Sequence, residues 1–387
     1  MNKIIRDTVC GFIELDEQEL DIIQHPVFQR LRRIRQLALT DMVYPGAVHT
    51  RFEHSLGVMQ TATEMYDHIA ESQKDLLQSV FSLDVGVKRY RKIVRLAALL
   101  HDVGHPPFSH AGEELLSCEH EDYSRAAVKS VFRELIEDHR INRNYGIKAA
   151  EVSVLLGDPD IITDDPILNL WKELISSQLD ADRADYLLRD SLHAGVEYGH
   201  YDRERLIHCM AFGQDPETGT YRLAINYRGW HVAESLVFAR YQMFTQVYFH
   251  KVRRIYDFHV TQAVCNILEP VGGKYPPLTE LEQYFDYDDW KIYAAIKDKR
   301  GGEHGEIILD RNHWKARAMP NPENLSMLDK SSYYIDDGYK KAWYKLRKNE
   351  DIQVFDKDLK LVPLSTKSPV VKALSAPPQT QETFYSK

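Results

Sequence analysis

The stretch Ile93-Val94-Arg95-Leu96-Ala97-Ala98-Leu99-Leu100 is apolar at every position but one, and His101-Asp102 follow it directly. A helix that is apolar nearly all round is buried nearly all round. Any fold of this chain must therefore bring a titratable pair to the end of a central helix. Burying a carboxylate there is costly unless it is paired or bound to a cation. The pattern predicts a helix over 88–102 that stops by Gly104, with Pro106-Pro107 preventing its continuation. It also predicts that His101-Asp102-Val103-Gly104-His105 lies where something compensates the charge.

The surrounding pattern is mainly α. Phe28, Leu31, Ile34 and Leu37 recur every third residue through a basic segment, which predicts a helix with one apolar face. Val58, Ala62, Tyr66 and Ile69 continue a second helix that begins near Glu53. Further helices fit 123–138, 167–193 and 231–268, and the alternation of Tyr221, Leu223 and Ile225 predicts a strand or small hairpin over Gly219–Tyr227. The basic run Lys88-Arg89-Tyr90-Arg91-Lys92 reads as a solvated helix start. A Pro- and Gly-rich break at 269–277 divides the chain into a helical core, 1–270, and a smaller mixed accessory region, 271–387. The accessory region is close to charge balance, so the acidic excess belongs to the core. Its tail from about 365 is expected to be mobile, being rich in Ser, Thr and Pro.

Several function classes are disfavoured. A net charge of −9 over 387 residues argues against a protein that wraps nucleic acid, which needs clustered Lys and Arg. It leaves room for a local basic pocket that takes a small polyphosphate. No run approaches the length of a membrane span, and the first residues lack the apolar run of a signal peptide. Cys10, Cys118, Cys209 and Cys265 form no CxxC pair and read as reduced thiols of a cytoplasmic protein.

Histidine marks the chemistry. Of 17 histidines, His49, His54, His68, His101, His105, His110 and His120 crowd into one window. Histidine binds transition metals and moves protons near neutral pH. His54 and Asp182 flank the His101-Asp102 pair at long range. Two histidines and two aspartates make a mixed N/O set suited to Fe, Mn, Co, Ni or Zn rather than a thiolate site. Taken alone, a His-Asp dipeptide ends many helices without chemistry, and the neighbouring histidines give this one its weight. Asp182, Tyr186, Arg189 and His193 are spaced to share one helix face, and Arg240, Phe244, Tyr248 and Lys251 repeat the spacing later. The same spacing also suits half-buried core tyrosines with solvated Arg240 and Lys251. His68 reads as a surface residue, and His25, His139, His304 and His313 have no partner motif.

The order His54, His101-Asp102, Asp182 resembles the HD-domain phosphohydrolases. Phe28–Arg32, Tyr44–Ala47, His49–Val58, His101–His110 and Asp180–Arg189 resemble their deoxynucleoside triphosphate triphosphohydrolase branch, over roughly residues 2–265. The resemblance implies a helical HD core in which His54, His101, Asp102 and Asp182 hold the metal. It implies catalytic roles for His105, His110 and His120, with Glu113 as the acidic partner of His110, where the best-known member of the family carries Asp. It implies phosphate contacts from Arg51, Arg183 and Arg240, with Arg183 standing where the family carries Lys. Tyr186 and Asp190 would meet the deoxyribose 3′-hydroxyl, Gln36 and Leu37 the sugar and base, and Tyr248 would line the same slot. The implied reaction is hydrolysis of a dNTP to deoxynucleoside and inorganic triphosphate, with Mg²⁺ accompanying the substrate triphosphate. The family also implies a homo-oligomer (dimer, tetramer or hexamer) with nucleotide activation. Matching regulatory positions are Lys3, Ile4, Gln29 and Arg32, with Gln24 where the family carries the Asp that reads a guanine edge. Two other outcomes stay open: an HD-type 5′-nucleotidase or phosphodiesterase, and a non-catalytic nucleotide-sensing protein.

Overall fold

The central helix forms over Val87–Leu100, and from Lys92 to Leu100 every residue of it is buried. It packs along the long helix Arg51–Ser72, and Ala181–Ala194 packs on that helix as well. The computed structural model describes residues 3–81, 87–216, 218–337, 351–375 and 382–387. Among the described residues helices dominate, with three small sheets: a hairpin of Lys3–Asp7 and Gly11–Leu15, a four-stranded sheet and a three-stranded sheet. The architecture is the mainly helical one that the sequence pattern indicates.

In the four-stranded sheet Met210–Gln214 pairs antiparallel with Tyr221–Ile225, confirming the strand expected near Gly219–Tyr227. Gln353–Phe355 then joins it in parallel, followed by Leu361–Pro363. Residues beyond 270 thus complete a sheet begun before it. Tyr275, Tyr284, Phe285 and Ile292 belong to the same hydrophobic cluster as Phe28, Leu96 and Leu99. Of the stretch from 365, Leu364–Lys367 and Pro369–Leu374 are helical, and the second packs on Trp230–Met243. Thr383–Ser386 is the middle strand of the three-stranded sheet, and 376–381 lie outside the described residues.

Four expected helices are shorter than their patterns. The Phe28–Leu37 segment is α-helical only over Pro26–Gln29, then 3₁₀ over Arg30–Arg33, and is extended at Ile34. A strict three-residue repeat is the 3₁₀ period, in which positions i and i+3 eclipse. Arg30, fully buried, also donates to the carbonyls of Tyr287 and His105, which draws this turn inward. The stretch 123–138 divides into His120–Lys129 and Arg133–Glu137, and 167–193 into Pro166–Lys172 and Ala181–Ala194. The stretch 231–268 divides at a π-helical turn, Phe244–Tyr248.

The basic run at 88–92 starts solvated at Lys88, which is exposed, and is paired from Arg89 on. Arg89 meets Glu151, Arg91 meets Asp67, and Lys92 meets Asp16 and Glu19. Arg95 adds two bonds to Glu19, a side chain 1% exposed. Burial would raise the Glu19 carboxyl, and the two cations outweigh it and bring it down to about 2 from 4.5. Its folded value lies below its unfolded one, so its contribution to stability is present above pH 4.5 and is lost as pH falls toward 2. Glu19→Gln should cost about 3–5 kcal/mol at neutral pH, as for one partner lost from a buried pair. Urea unfolding across pH checks this: the variant's deficit should shrink through the acid range, and a pH-independent deficit would contradict it.

Candidate functional site

The His-Asp pair sits where the central helix gives way to a turn, and Asp102 is 4% exposed. His54 comes from the first turn of Arg51–Ser72, whose start is fixed by a Thr50–Glu53 capping box. Asp182 comes from the first turn of Ala181–Ala194, capped by Asp180. Three helix ends therefore converge. His54 Nε2 lies 3.0 Å from Asp182 Oδ1 and 3.5 Å from Asp102 Oδ2. His101 Nε2 lies 3.3 Å from Asp102 Oδ1 and 3.8 Å from Asp182 Oδ1. Ligand atoms 2.0–2.2 Å from one cation stand about 3 Å apart; His54, His101 and Asp102 each offer an atom within 4.8 Å of the others and could hold a cation, and Asp182 Oδ1 adjoins the two histidine nitrogens. The ring nitrogens are also poised for it. His101 Nδ1 bonds the Ala98 carbonyl at 2.8 Å, and its Nε2 is buried with no hydrogen-bond partner. His54 Nδ1 bonds Asp185 at 2.8 Å, which leaves Nε2 as the ligand atom. Burial would raise the Asp102 carboxyl, and Arg51, His101 and His105 outweigh it and hold it well below the usual carboxylate range.

A second cluster adjoins the first through Asp102, which lies 3.3 Å from His105 Nε2. His105 stacks on His120 with ring centres 3.6 Å apart. Glu113 Oε1 meets His120 Nδ1 at 2.6 Å and His110 Nδ1 at 3.0 Å. Burial, then the Arg51 and His120 charges, push His105 well below its ordinary range. Burial opposes ionisation of Glu113, but its bonds to His110 and His120 prevail and hold it ionised. Gly104 is required here: a Cβ on it would lie 2.4 Å from the His120 carbonyl and 2.3 Å from the Ser124 amide. Its absence lets the helix bearing His120 approach. Beside it, Phe108 and Ser109 both take positive φ, 59° and 53°. Two such residues in succession store strain, and Asp289 from beyond position 270 braces them by accepting the Phe108 amide at 2.7 Å.

One cavity of about 830 Å³ joins both clusters. Gln36, Leu37, Arg51, Arg183, Tyr186, Asp190, Arg240 and Tyr248 all line it, with Asp102, Asp182, His105, His110 and His120. Every substrate position drawn from the resemblance thus opens on one space. Asp190 is held on both sides: Tyr248 donates to it at 2.6 Å, and His49 Nε2 bonds it at 2.7 Å while stacking on His193. Arg51 is engaged with Asp102 and donates from Nε to Ser109 at 2.8 Å. Arg183 is engaged with Asp180 and the Ser177 carbonyl, and Arg240 bonds Gln178 at 3.3 Å. The Nε atoms of Arg183 and Arg240 are buried without a hydrogen-bond partner.

Two spacings need correction. Along Ala181–Ala194 the cavity-lining residues are Asp182, Arg183, Tyr186 and Asp190, while Arg189 is fully buried against Asp185. Lys251 is exposed and lies off this cavity; the π-helical turn shifts the phase and puts Arg253 on the cavity instead. Arg253, Arg254, Asp257 and Tyr334 are lining residues that the sequence reading missed. A break of helical phase has no periodic signal. Lys3, Ile4, Gln24 and Arg32 are exposed, Gln29 is half-buried, and all five lie off this cavity. Arg32 bonds Gln29 at 2.9 Å and stacks over Phe52.

Residues 51–190 match the HD domain, and 201–330 match the HD associated region, which crosses the break at 269–277. An uncharacterized protein of Methanocaldococcus jannaschii is 37% identical over 262 residues, 68% of this chain and 49% of its own. The human deoxynucleoside triphosphate triphosphohydrolase SAMHD1 is 32% identical over 341 residues, 76% of this chain and 49% of its own. The chain spans about half the length of these curated relatives. A crystal structure of a hypothetical protein from Aquifex aeolicus superposes with a TM-score of 0.79 at 28% identity, covering 100% of this chain and 96% of that one.

Tyr248→Phe removes one of the two bonds to the buried Asp190 carboxylate. A hydrogen bond to a charged group contributes about 1.5–3 kcal/mol. Urea unfolding of the variant should show a loss in that range, and an unchanged stability would mean the bond contributes nothing.

Proposed function

The chain belongs to the HD-domain phosphohydrolase family, and from that premise we propose that it hydrolyses dNTPs to deoxynucleoside and inorganic triphosphate. The observation that carries this reading is a single cavity joining a His/Asp corner to three arginines and two tyrosines. His54, His101, Asp102 and Asp182 would hold a divalent metal of the Fe, Mn, Co, Ni or Zn class. Such a cation supplies the charge that makes a water a competent nucleophile near neutral pH.

The remaining work falls to the chain's own side chains. Arg51, Arg183 and Arg240 bind the triphosphate through charge-assisted bonds, with Mg²⁺ accompanying it. The α-phosphorus gains a water oxygen, and its bond to the 5′-oxygen breaks. His120, with Nδ1 held by Glu113, gives a proton from Nε2 to that leaving oxygen. His105, stacked on His120, holds a phosphate oxygen, and His110 shares the Glu113 carboxylate to support the proton path. Tyr186, Tyr248 and Asp190 pack against the deoxyribose and read its 3′-hydroxyl, and Gln36 and Leu37 bound the sugar and base. Asp190, already bonded by His49 and Tyr248, is preorganised for that contact. A homo-oligomer activated by a second nucleotide at Lys3, Ile4, Gln24, Gln29 and Arg32 belongs to the same reading.

The test uses purified protein with Mn²⁺ or Mg²⁺ against each dNTP and against mixtures with GTP or a second dNTP, with products resolved. Inorganic triphosphate and deoxynucleoside are expected. Orthophosphate or a monoester would replace this reading with a nucleotidase or phosphodiesterase, and bound nucleotide without turnover would replace it with a sensor. No stimulation by any mixture would remove the activator alone. His101→Ala with Asp102→Ala should abolish metal binding and turnover together, and wild-type turnover in that double variant would refute the site.

A further inference from the structure

His54 presents two nitrogens to two different environments. Nε2 faces Asp102 and Asp182, while Nδ1 lies 2.8 Å from Asp185 Oδ2. Asp185 is fully buried, and so is Arg189 one turn further along the same helix. Arg189 donates from Nε and Nη2 to the two Asp185 oxygens at 2.8 and 2.9 Å. Its outer edge donates to Asp7, from Nη1 at 2.8 Å and from Nη2 at 3.1 Å. Asp7 ends the first strand, and its Oδ1 accepts the amides of Val9 and Cys10 at 2.9 and 2.8 Å, closing the hairpin turn. A continuous line of bonds, buried from Arg189 to His54, therefore runs from the hairpin to the back of His54.

A separate feature shows that space is kept for this line. Gly57 lies in the interior of helix Arg51–Ser72, one turn after His54. Glycine there costs about 0.5–1 kcal/mol relative to alanine. A Cβ on it would come within 2.0 Å of Asp185 Oδ1 and 2.2 Å of Arg189 Nη2. The helix gives up a side chain at the one place where the Asp185–Arg189 pair must pass. A pair that served only to fasten the hairpin would have no need to reach His54.

We propose that Asp185 is a positioning residue for the cation site: it fixes His54 with Nδ1 as donor and Nε2 as ligand, and Arg189 with Asp7 couples that setting to the seating of the first hairpin. An imidazole whose Nδ1–H is held keeps the tautomer and ring orientation that ligation needs. The inference rests on the metal-centre part of the proposed function and is independent of which nucleotide is cleaved.

The test is Mn²⁺ binding to the full metal-free chain, read as free Mn²⁺ by electron paramagnetic resonance. Thermal melting of the same metal-free samples runs alongside. Asp185→Asn should raise the Mn²⁺ Kd about 10–100-fold, the usual effect of losing a histidine's outer partner. Asp7→Asn, at the far end of the line, should raise it by less. The double variant should bind no more weakly than Asp185→Asn, because both changes act through one line. A lowered melting temperature with a wild-type Kd in Asp7→Asn or in Asp185→Asn would show a purely structural role and overturn the proposal. Should Asp185→Asn fail to fold, Asp7→Asn alone decides by the same criterion. Wild-type protein that binds no Mn²⁺, or binds it equally after His101→Ala with Asp102→Ala, would overturn the metal centre itself, a result distinct from unchanged variants on a binding wild type.

Discussion

Carboxylates held out of water beside one another set the terms for this molecule. Asp102 and Asp185 are buried, and Asp182 joins them at the same corner. Each ionised carboxylate there must find a cation or a donor. The chain supplies Arg51 to Asp102, Arg189 to Asp185, and histidine rings between them. The rest of the arrangement follows from that need. Three helix ends meet because each carries one of the groups, and the glycines at 57 and 104 stand where the groups and their helices come too close for a side chain.

Beyond 270 the chain braces this corner. Asp289 accepts the amides of Phe108 and Arg35 and so pins the strained turn after His105. Tyr284 donates to the Gly104 carbonyl at 2.5 Å, and Arg30 ties the carbonyls of His105 and Tyr287 together. Tyr334, on the three-stranded sheet, stacks on Phe258 and closes part of the cavity wall. The residues after the proline break are thus part of the site's support, in addition to forming sheets of their own.

What could be read from the residues was set by period and by chemistry. The apolar run ending in His101-Asp102 marked the central helix and its charged end, and three distant motifs marked the residues that the fold gathers. Asp185 and Arg189 were harder to read. The spacing put Arg189 on one face with Asp182 and Tyr186, whereas burial of the pair and the close approach of Gly57 show that both point inward. Arg253 was missed for another reason: a single π-helical turn rotates the helix after Tyr248, and composition carries no trace of it. The short 3₁₀ turn at Arg30–Arg33 imitates a helix to any test based on a three-residue repeat. Sequence patterns report local periods, whereas interruptions are decided by partners far along the chain, such as Tyr287 for Arg30.

The central claim is that four side chains from three helix ends share one cation at the head of the cavity. A crystal structure of the protein soaked with Mn²⁺, with data collected for anomalous scattering, addresses it directly. The account predicts a strong anomalous peak within bonding distance of His54 Nε2, His101 Nε2, Asp102 and Asp182. A peak elsewhere, with this corner empty at saturating Mn²⁺, would contradict it.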